Sequence, residues 1–89
     1  MTARRAVVRG FVQGVGFRFF AQRSARSLGV RGWVRNRADG SVESLAEGDD
    51  AAVAEYLARL GKGPAGSRVD GIEVEPVDPE GAPGFEVRR

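Results

Sequence analysis

An α+β sandwich, in which one antiparallel sheet carries two helices on one face, is the fold class this sequence predicts. Three observations predict it. Apolar residues recur at helical spacing in two segments and at strand spacing in the runs around them, in the order β-α-β-β-α-β with one more short strand at the end. One pair of strand-like runs is joined by a segment ending Asp-Gly, a hairpin signal. At 89 residues the chain has the length of one domain, residues 1–89, able to bury somewhat more than ~60% of its unfolded surface.

The first strand is predicted over Arg4 to Val12, where Ala6, Val7, Val8, Phe11 and Val12 give a short run rich in β-branched and aromatic residues. From Phe17 the apolar and small residues Phe17, Phe20, Ala21, Ser24, Ala25 and Leu28 follow an i, i+3, i+4, i+7, i+8, i+11 series, with Gln22, Arg23 and Arg26 on the other side. That is an amphipathic helix, and Gly29 is placed to end it. Val30 to Asn36 and Ser41 to Glu47 flank Arg37-Ala38-Asp39-Gly40 and should pair antiparallel. Asp49 or Asp50 can cap a second helix whose apolar positions, Val53, Tyr56, Leu57 and Leu60, run up to Gly61. After a Gly/Pro-rich connection over Gly61 to Ser67, Ile72 and Val74 alternate with Glu73 and Glu75 in a fourth strand, and Phe85 and Val87 with Glu86 and Arg88 in a last one. Pro76, Pro79 and Pro83 confine the segment between them to loop. This order is the split βαβ, or ferredoxin-like, pattern.

Composition narrows the chemistry. Hydrophobic residues make up 42% and charged residues 29%, within the range of a soluble, folded domain. No cysteine is present, which excludes disulfides, thiolate metal sites and a thiol nucleophile. The apolar stretch in MTARRAVVRGFV is too short and interrupted for a signal peptide or membrane span, so a cytoplasmic protein without membrane contact is expected. A net charge of +2 does not imply a nucleic-acid partner, although Lys62 is the only lysine among 14 basic residues. The strand order is shared with RNA-binding sheets, but their aromatic pattern is missing.

The junction between the first strand and first helix reads Gln13-Gly14-Val15-Gly16-Phe17-Arg18. Two glycines there can take positive φ without steric cost, so successive backbone N–H groups can point into one concavity, a nest for an anion. The start of the helix adds its own unpaired amides and the positive end of its dipole. Arg18, in the first helical turn, is close enough to fold its guanidinium over a bound oxyanion. Glycines also serve ordinary strand-to-helix turns, and an arginine early in a helix also serves as a solvated charge. Neither the P-loop G-x-x-x-x-G-K-[ST] nor the G-x-G-x-x-G dinucleotide fingerprint fits, because Phe19 stands where the third glycine of the latter belongs. Gly29-Val30-Arg31-Gly32 and Gly63-Pro64-Ala65-Gly66 match the G-x-x-G of an RNA-clamping loop, but they lead from helices toward strands. Asn36 stands at a hairpin entrance, where turn chemistry is its usual use, and Trp33 suits core or edge packing.

Val12 to Arg18 (VQGVGFR), Gly32 to Asn36 (GWVRN) and Asp39 to Glu43 (DGSVE) together resemble the paired signature of the acylphosphatase family. The likeness extends over nearly the whole chain, including Ala46-Glu47-Gly48 before the second helix and Gly63-Pro64 after it. It implies hydrolysis of the carboxyl-phosphate bond of small-molecule acyl phosphates to a carboxylate and inorganic phosphate, without metal or cofactor. It also implies that the backbone of Gln13, Gly14, Val15, Gly16 and Phe17 holds the phosphate, that Arg18 binds its oxygens and that Asn36 positions the attacking water. Two positions depart from commoner members: Phe11 stands where a basic residue often lies, and Ala21 where a hydroxyl residue is frequent. The first would alter charge around the site and the second loosen a supporting hydrogen bond, while neither removes a residue to which the resemblance gives a direct role.

The residue inventory is sufficient for such a reaction. An acyl phosphate departs as a carboxylate whose conjugate acid has a pKa near ~4, so no general acid is required. A loose transition state makes a strong base dispensable, leaving electrostatic stabilisation and positioning as the tasks of the protein. A non-catalytic phosphate-binding module on the same fold is the alternative, separated from the enzyme by multiple turnovers. A monomer is expected, since each apolar face has an internal partner.

Overall fold

A computed structural model describes residues 1–89. In chain order the elements are β1 (Thr2–Phe11), α1 (Phe17–Leu28), β2 (Arg31–Asn36), β3 (Val42–Gly48), α2 (Asp50–Lys62), β4 (Arg68–Pro76) and β5 (Phe85–Arg88). The strands form one sheet in the order β4-β1-β3-β2-β5. Alternation along each strand decides what faces the helices. Ala6, Val8 and Val12 from the first strand and its exit, Val34 from β2, Val42 and Ala46 from β3, and Phe85 from β5 meet Phe17, Ala21 and Ala25 of α1 and Val53, Tyr56 and Leu60 of α2 in one buried cluster. The Tyr56 hydroxyl bonds Ser44 Oγ at 2.8 Å inside this core, and burial pushes the Tyr56 phenol well above its ordinary pKa.

The sheet is mixed, where the sequence predicts an antiparallel one. β1 pairs antiparallel with β3 and β4, and β2 with β3, but β5 runs parallel to β2. The reason is the connection from β4, at one edge, to β5, at the other. Residues 77–84 cross the sheet at the end where β1 and β2 begin: Val77 donates to the Ala3 carbonyl, and Gly32 donates to the Gly84 carbonyl. The buried Glu47 carboxylate at the end of β3 accepts the amides of both Glu80 and Ala82, the latter at 3.1 Å, and so fastens the crossing segment to the sheet. β5 then starts at the same end as β2 and must run alongside it.

Strand boundaries shift by a residue or two, β1 starting at Thr2 rather than Arg4, and two larger differences have a structural reason. Gly61 lies inside α2, whose C-cap is Gly63 at φ 73°. The leucine-spaced face ends at Leu60, but nothing in one further turn forces a helix to stop at a glycine, which costs only about 1 kcal/mol relative to alanine. Asp49 is the α2 N-cap, as expected, although its side chain caps no amide. β4 begins at Arg68, ahead of its visibly alternating part, because pairing with Phe11 and Gly10 continues past a bulge between Arg9 and Gly10.

Gly32 is required by packing. A Cβ there would lie 2.0 Å from the Leu45 carbonyl oxygen, so only glycine permits the β2–β3 approach that carries Asn36 to its place. On the open face Trp33 is buried beneath the Arg88 and Arg35 guanidiniums, 4.8 and 5.7 Å from its ring, with its indole N–H donating to Glu80. It packs, as its sequence position suggests.

Candidate functional site

β1, β2 and β5 run in the same direction, so the segment leaving β1, the last residue of β2 and the last residues of β5 collect at one end of the sheet. There a cavity of about 110 Å³ is lined by Val12, Gly14, Gly16, Phe17, Arg18, Phe19 and Asn36. A larger cavity, of about 540 Å³, lies along β5 and the 77–84 crossing. Its polar side chains already have partners: Arg88 pairs with Glu86, Glu80 accepts from Trp33, and Arg26 donates to the Phe85 carbonyl. The smaller cavity is the one lined by groups left free.

The loop owes its shape to its glycines. Gly14 and Gly16 each have φ 75°, in the left-handed region, and Gly16 is the N-cap of α1 with no side-chain cap. The first amide of this stretch with a backbone acceptor is that of Phe20, which donates to the Gly16 carbonyl at 3.0 Å. The amides from Gln13 to Phe19 donate to no group in the protein. A run of unpaired N–H groups around left-handed turns at a helix N-terminus is a nest for an oxyanion, and the α1 dipole adds to its positive field. No acidic side chain lines the cavity to oppose it.

Arg18 lines the cavity and is half-buried. Its Nη1 donates to the Arg88 carbonyl at 3.2 Å, which leaves the rest of the guanidinium fork available. β5 thereby braces the arginine from the far edge of the sheet. Asn36 enters from the end of β2, and its side-chain amide makes no hydrogen bond to the protein. The turn-forming use of Asn36 that its position suggests is therefore not seen. Asp39 does that work instead, accepting from the Ser41 amide at 3.0 Å and from the Ser41 hydroxyl. Those two bonds hold the Asp39 carboxyl down at about 2.

Gln13 and Val15 contribute differently from the residues between and after them. Gln13 Nε2 donates to the carbonyls of Arg37 and Ser41 at 2.8 and 2.9 Å, so its side chain clamps the loop to the β2–β3 hairpin. Val15 packs its side chain against the core, and the cavity wall contains neither residue. Phe17 is fully buried and anchors the loop from below, with its ring against Phe20 at 5.9 Å in an edge-to-face contact. Ala21 is fully buried against the sheet, and no buried side-chain polar atom lacks a partner. Phe11 is exposed and stays out of the cavity wall.

Phe19 in the cavity wall was not among the residues singled out by sequence. The signal was present: an aromatic ring at position 19 lies on the helix face of Gln22, Arg23 and Arg26, off the apolar stripe. The Arg88 carbonyl contact had no such signal, because a backbone acceptor leaves no trace in residue type. No group of three or more His, Cys, Asp and Glu side chains comes together as metal ligands would, and no helix is long and apolar enough to cross a membrane.

Comparison with known proteins identifies the family. The family model described as Acylphosphatase matches residues 4–87. A curated acylphosphatase from Nitrobacter hamburgensis is 57% identical over 74 residues, covering 83% of this chain and 75% of that protein. One from Thermotoga maritima is 47% identical over 88 residues, covering 99% and 98%. Among solved structures, the acylphosphatase from Bacillus subtilis superposes with a TM-score of 0.97 at 40% identity over 100% of both chains.

Proposed function

Because the chain belongs to the acylphosphatase family and hydrolyses the carboxyl-phosphate bond of acyl phosphates, we propose that the β1–α1 loop, Arg18 and Asn36 carry that reaction. The observation that supports this assignment is the run of unpaired amides from Gln13 to Phe19 beside a cavity whose wall brings Gly14, Gly16 and Phe17 together with Arg18 and Asn36.

The phosphoryl oxygens occupy the nest, held by the backbone of Gln13 to Phe17 and by two donors of the Arg18 fork. The free amide of Asn36 holds a water on the phosphorus face opposite the acyl oxygen. As the water oxygen bonds to phosphorus, the bond to the acyl oxygen breaks and its electron pair leaves on the carboxylate. The proton lost by the water passes to solvent or a phosphate oxygen, giving inorganic phosphate. Charge in a loose transition state lies on the phosphoryl and leaving oxygens, where amides and guanidinium can meet it without reorganising. The carboxylate leaves unprotonated, so the absence of histidine from the chain is no obstacle. Alkyl phosphomonoesters, whose leaving group needs a proton, are poor substrates for such a site.

Residues 1–89 form a single domain acting as a monomer in the cytoplasm in this reading. The large apolar side chains left exposed support the monomer: Met1 precedes β1, Phe11 and Val74 stand near opposite ends of the β1–β4 pairing, opposite Arg68 and Ala6, and Phe19 lines the cavity.

Steady-state hydrolysis of benzoyl phosphate with chelator present tests the function. Many turnovers per molecule, with inorganic phosphate inhibiting competitively, are expected. Binding of phosphate without turnover would leave a binding module.

A further inference from the structure

We propose that Phe19 is the contact surface for the acyl part of the substrate and gives this enzyme a preference for apolar, above all aromatic, acyl groups. The inference rests on the cradle being the phosphoryl site and adds what lies outside it. At about 110 Å³ the cavity is well below the ~300 to 1,000 Å³ of pockets that enclose whole small-molecule ligands. It has room for the phosphoryl group and a water, so the acyl group remains at the mouth. What it meets there is set by the wall, in which Arg18, engaged with phosphoryl oxygens, is the only charged side chain.

Phe19 has no structural task that explains it. Its two aromatic neighbours in sequence turn inward, Phe17 fully buried and Phe20 packed on it, whereas Phe19 is 66% exposed on the polar side of α1. It is the third residue of the helix. Helical Cα–Cβ bonds tilt toward the N-terminus, so a ring at this position leans over the loop that holds the phosphate, consistent with its place in the cavity wall. An exposed aromatic face beside the phosphoryl site offers a flat acyl group an offset-stacked or edge contact, and offers an acetyl group little. Phe11, 55% exposed but outside the cavity wall, provides an internal comparison.

The test is kcat/KM for benzoyl phosphate and acetyl phosphate in the wild type and in Phe19→Ala, Phe19→Tyr and Phe11→Ala. Both substrates release carboxylates of similar basicity, so their ratio reports contact with the acyl group more than leaving-group ability. Phe19→Ala should lower the benzoyl-to-acetyl ratio roughly three- to tenfold, mainly through KM for benzoyl phosphate, with Phe19→Tyr retaining it. Because the Phe19 side chain is exposed, its loss leaves the core intact. An equal fall for both substrates, or an equal change of ratio in Phe11→Ala, would overturn the assignment. A wild type inactive on both would instead overturn the hydrolytic reading beneath it, and this inference with it.

Discussion

Arg18 and Asn36 differ in how much of their role is written in residue type. An arginine two residues after a glycine in a strand-to-helix turn suggests an anion on physical grounds alone, whereas an asparagine before a hairpin suggests a turn. Only the resemblance of the surrounding motifs gives Asn36 a place in chemistry, and the structure explains how it is free for one: Asp39 satisfies the turn, so the Asn36 amide is unoccupied at the cavity. Asn36→Ala should therefore lower kcat by roughly a hundredfold, as loss of a positioning contact commonly does, while inhibition by inorganic phosphate changes little. Collapse of phosphate inhibition in this variant would make Asn36 part of the cradle. Gln13 is the reverse case, a residue that the motif groups with the phosphate loop. Its side chain joins that loop to the hairpin bearing Asn36, through the carbonyls of Arg37 and Ser41.

At the scale of elements, the amphipathic stripes of both helices and the β2–β3 hairpin were legible because burial enforces a period, and Gly29 ended α1 as a left-handed cap should, at φ 73°. The end of α2 was less legible, since Gly61 and Gly63 are both plausible stops and only the tertiary context selects Gly63. The cradle itself is a local device, and glycine geometry lets it be separated from stability. Gly16 and Gly29 have nearly the same φ, 75° and 73°, and at neither would a Cβ meet any atom within 4 Å. Alanine at either position should cost about 1 to 2 kcal/mol through backbone strain alone. In denaturant unfolding Gly16→Ala and Gly29→Ala should thus look alike. In turnover they should not, with Gly16→Ala losing at least tenfold more, because only Gly16 orients amides toward the phosphate. Equal activity in the two variants would mean that the loop is not the cradle.

Over the whole molecule, the feature that residue patterns could not supply is the parallel β5. Its direction follows from the path of residues 77–84 across the sheet, and that path is fastened by a buried carboxylate, Glu47, meeting two backbone amides far along the chain, together with the Val77–Ala3 and Gly32–Gly84 backbone bonds. Glu47→Ala leaves those amides without their charged acceptor and should cost about 2 to 3 kcal/mol in denaturant unfolding. Since β5 carries the Arg88 carbonyl that braces Arg18, the same change should lower turnover before it unfolds the protein. Unchanged stability would show that the crossing segment is held by other contacts. Everything else in the site converges on Arg18, the one charged side chain in a wall of backbone donors, carried by a core helix and braced from the far edge of the sheet. Benzoyl phosphate hydrolysis by wild type and Arg18→Ala, with both proteins confirmed folded by circular dichroism, tests that convergence most directly. Loss of about 3 to 4 kcal/mol of transition-state stabilisation, a hundred- to thousandfold in rate, is the predicted result. Full turnover by a folded Arg18→Ala protein would contradict it.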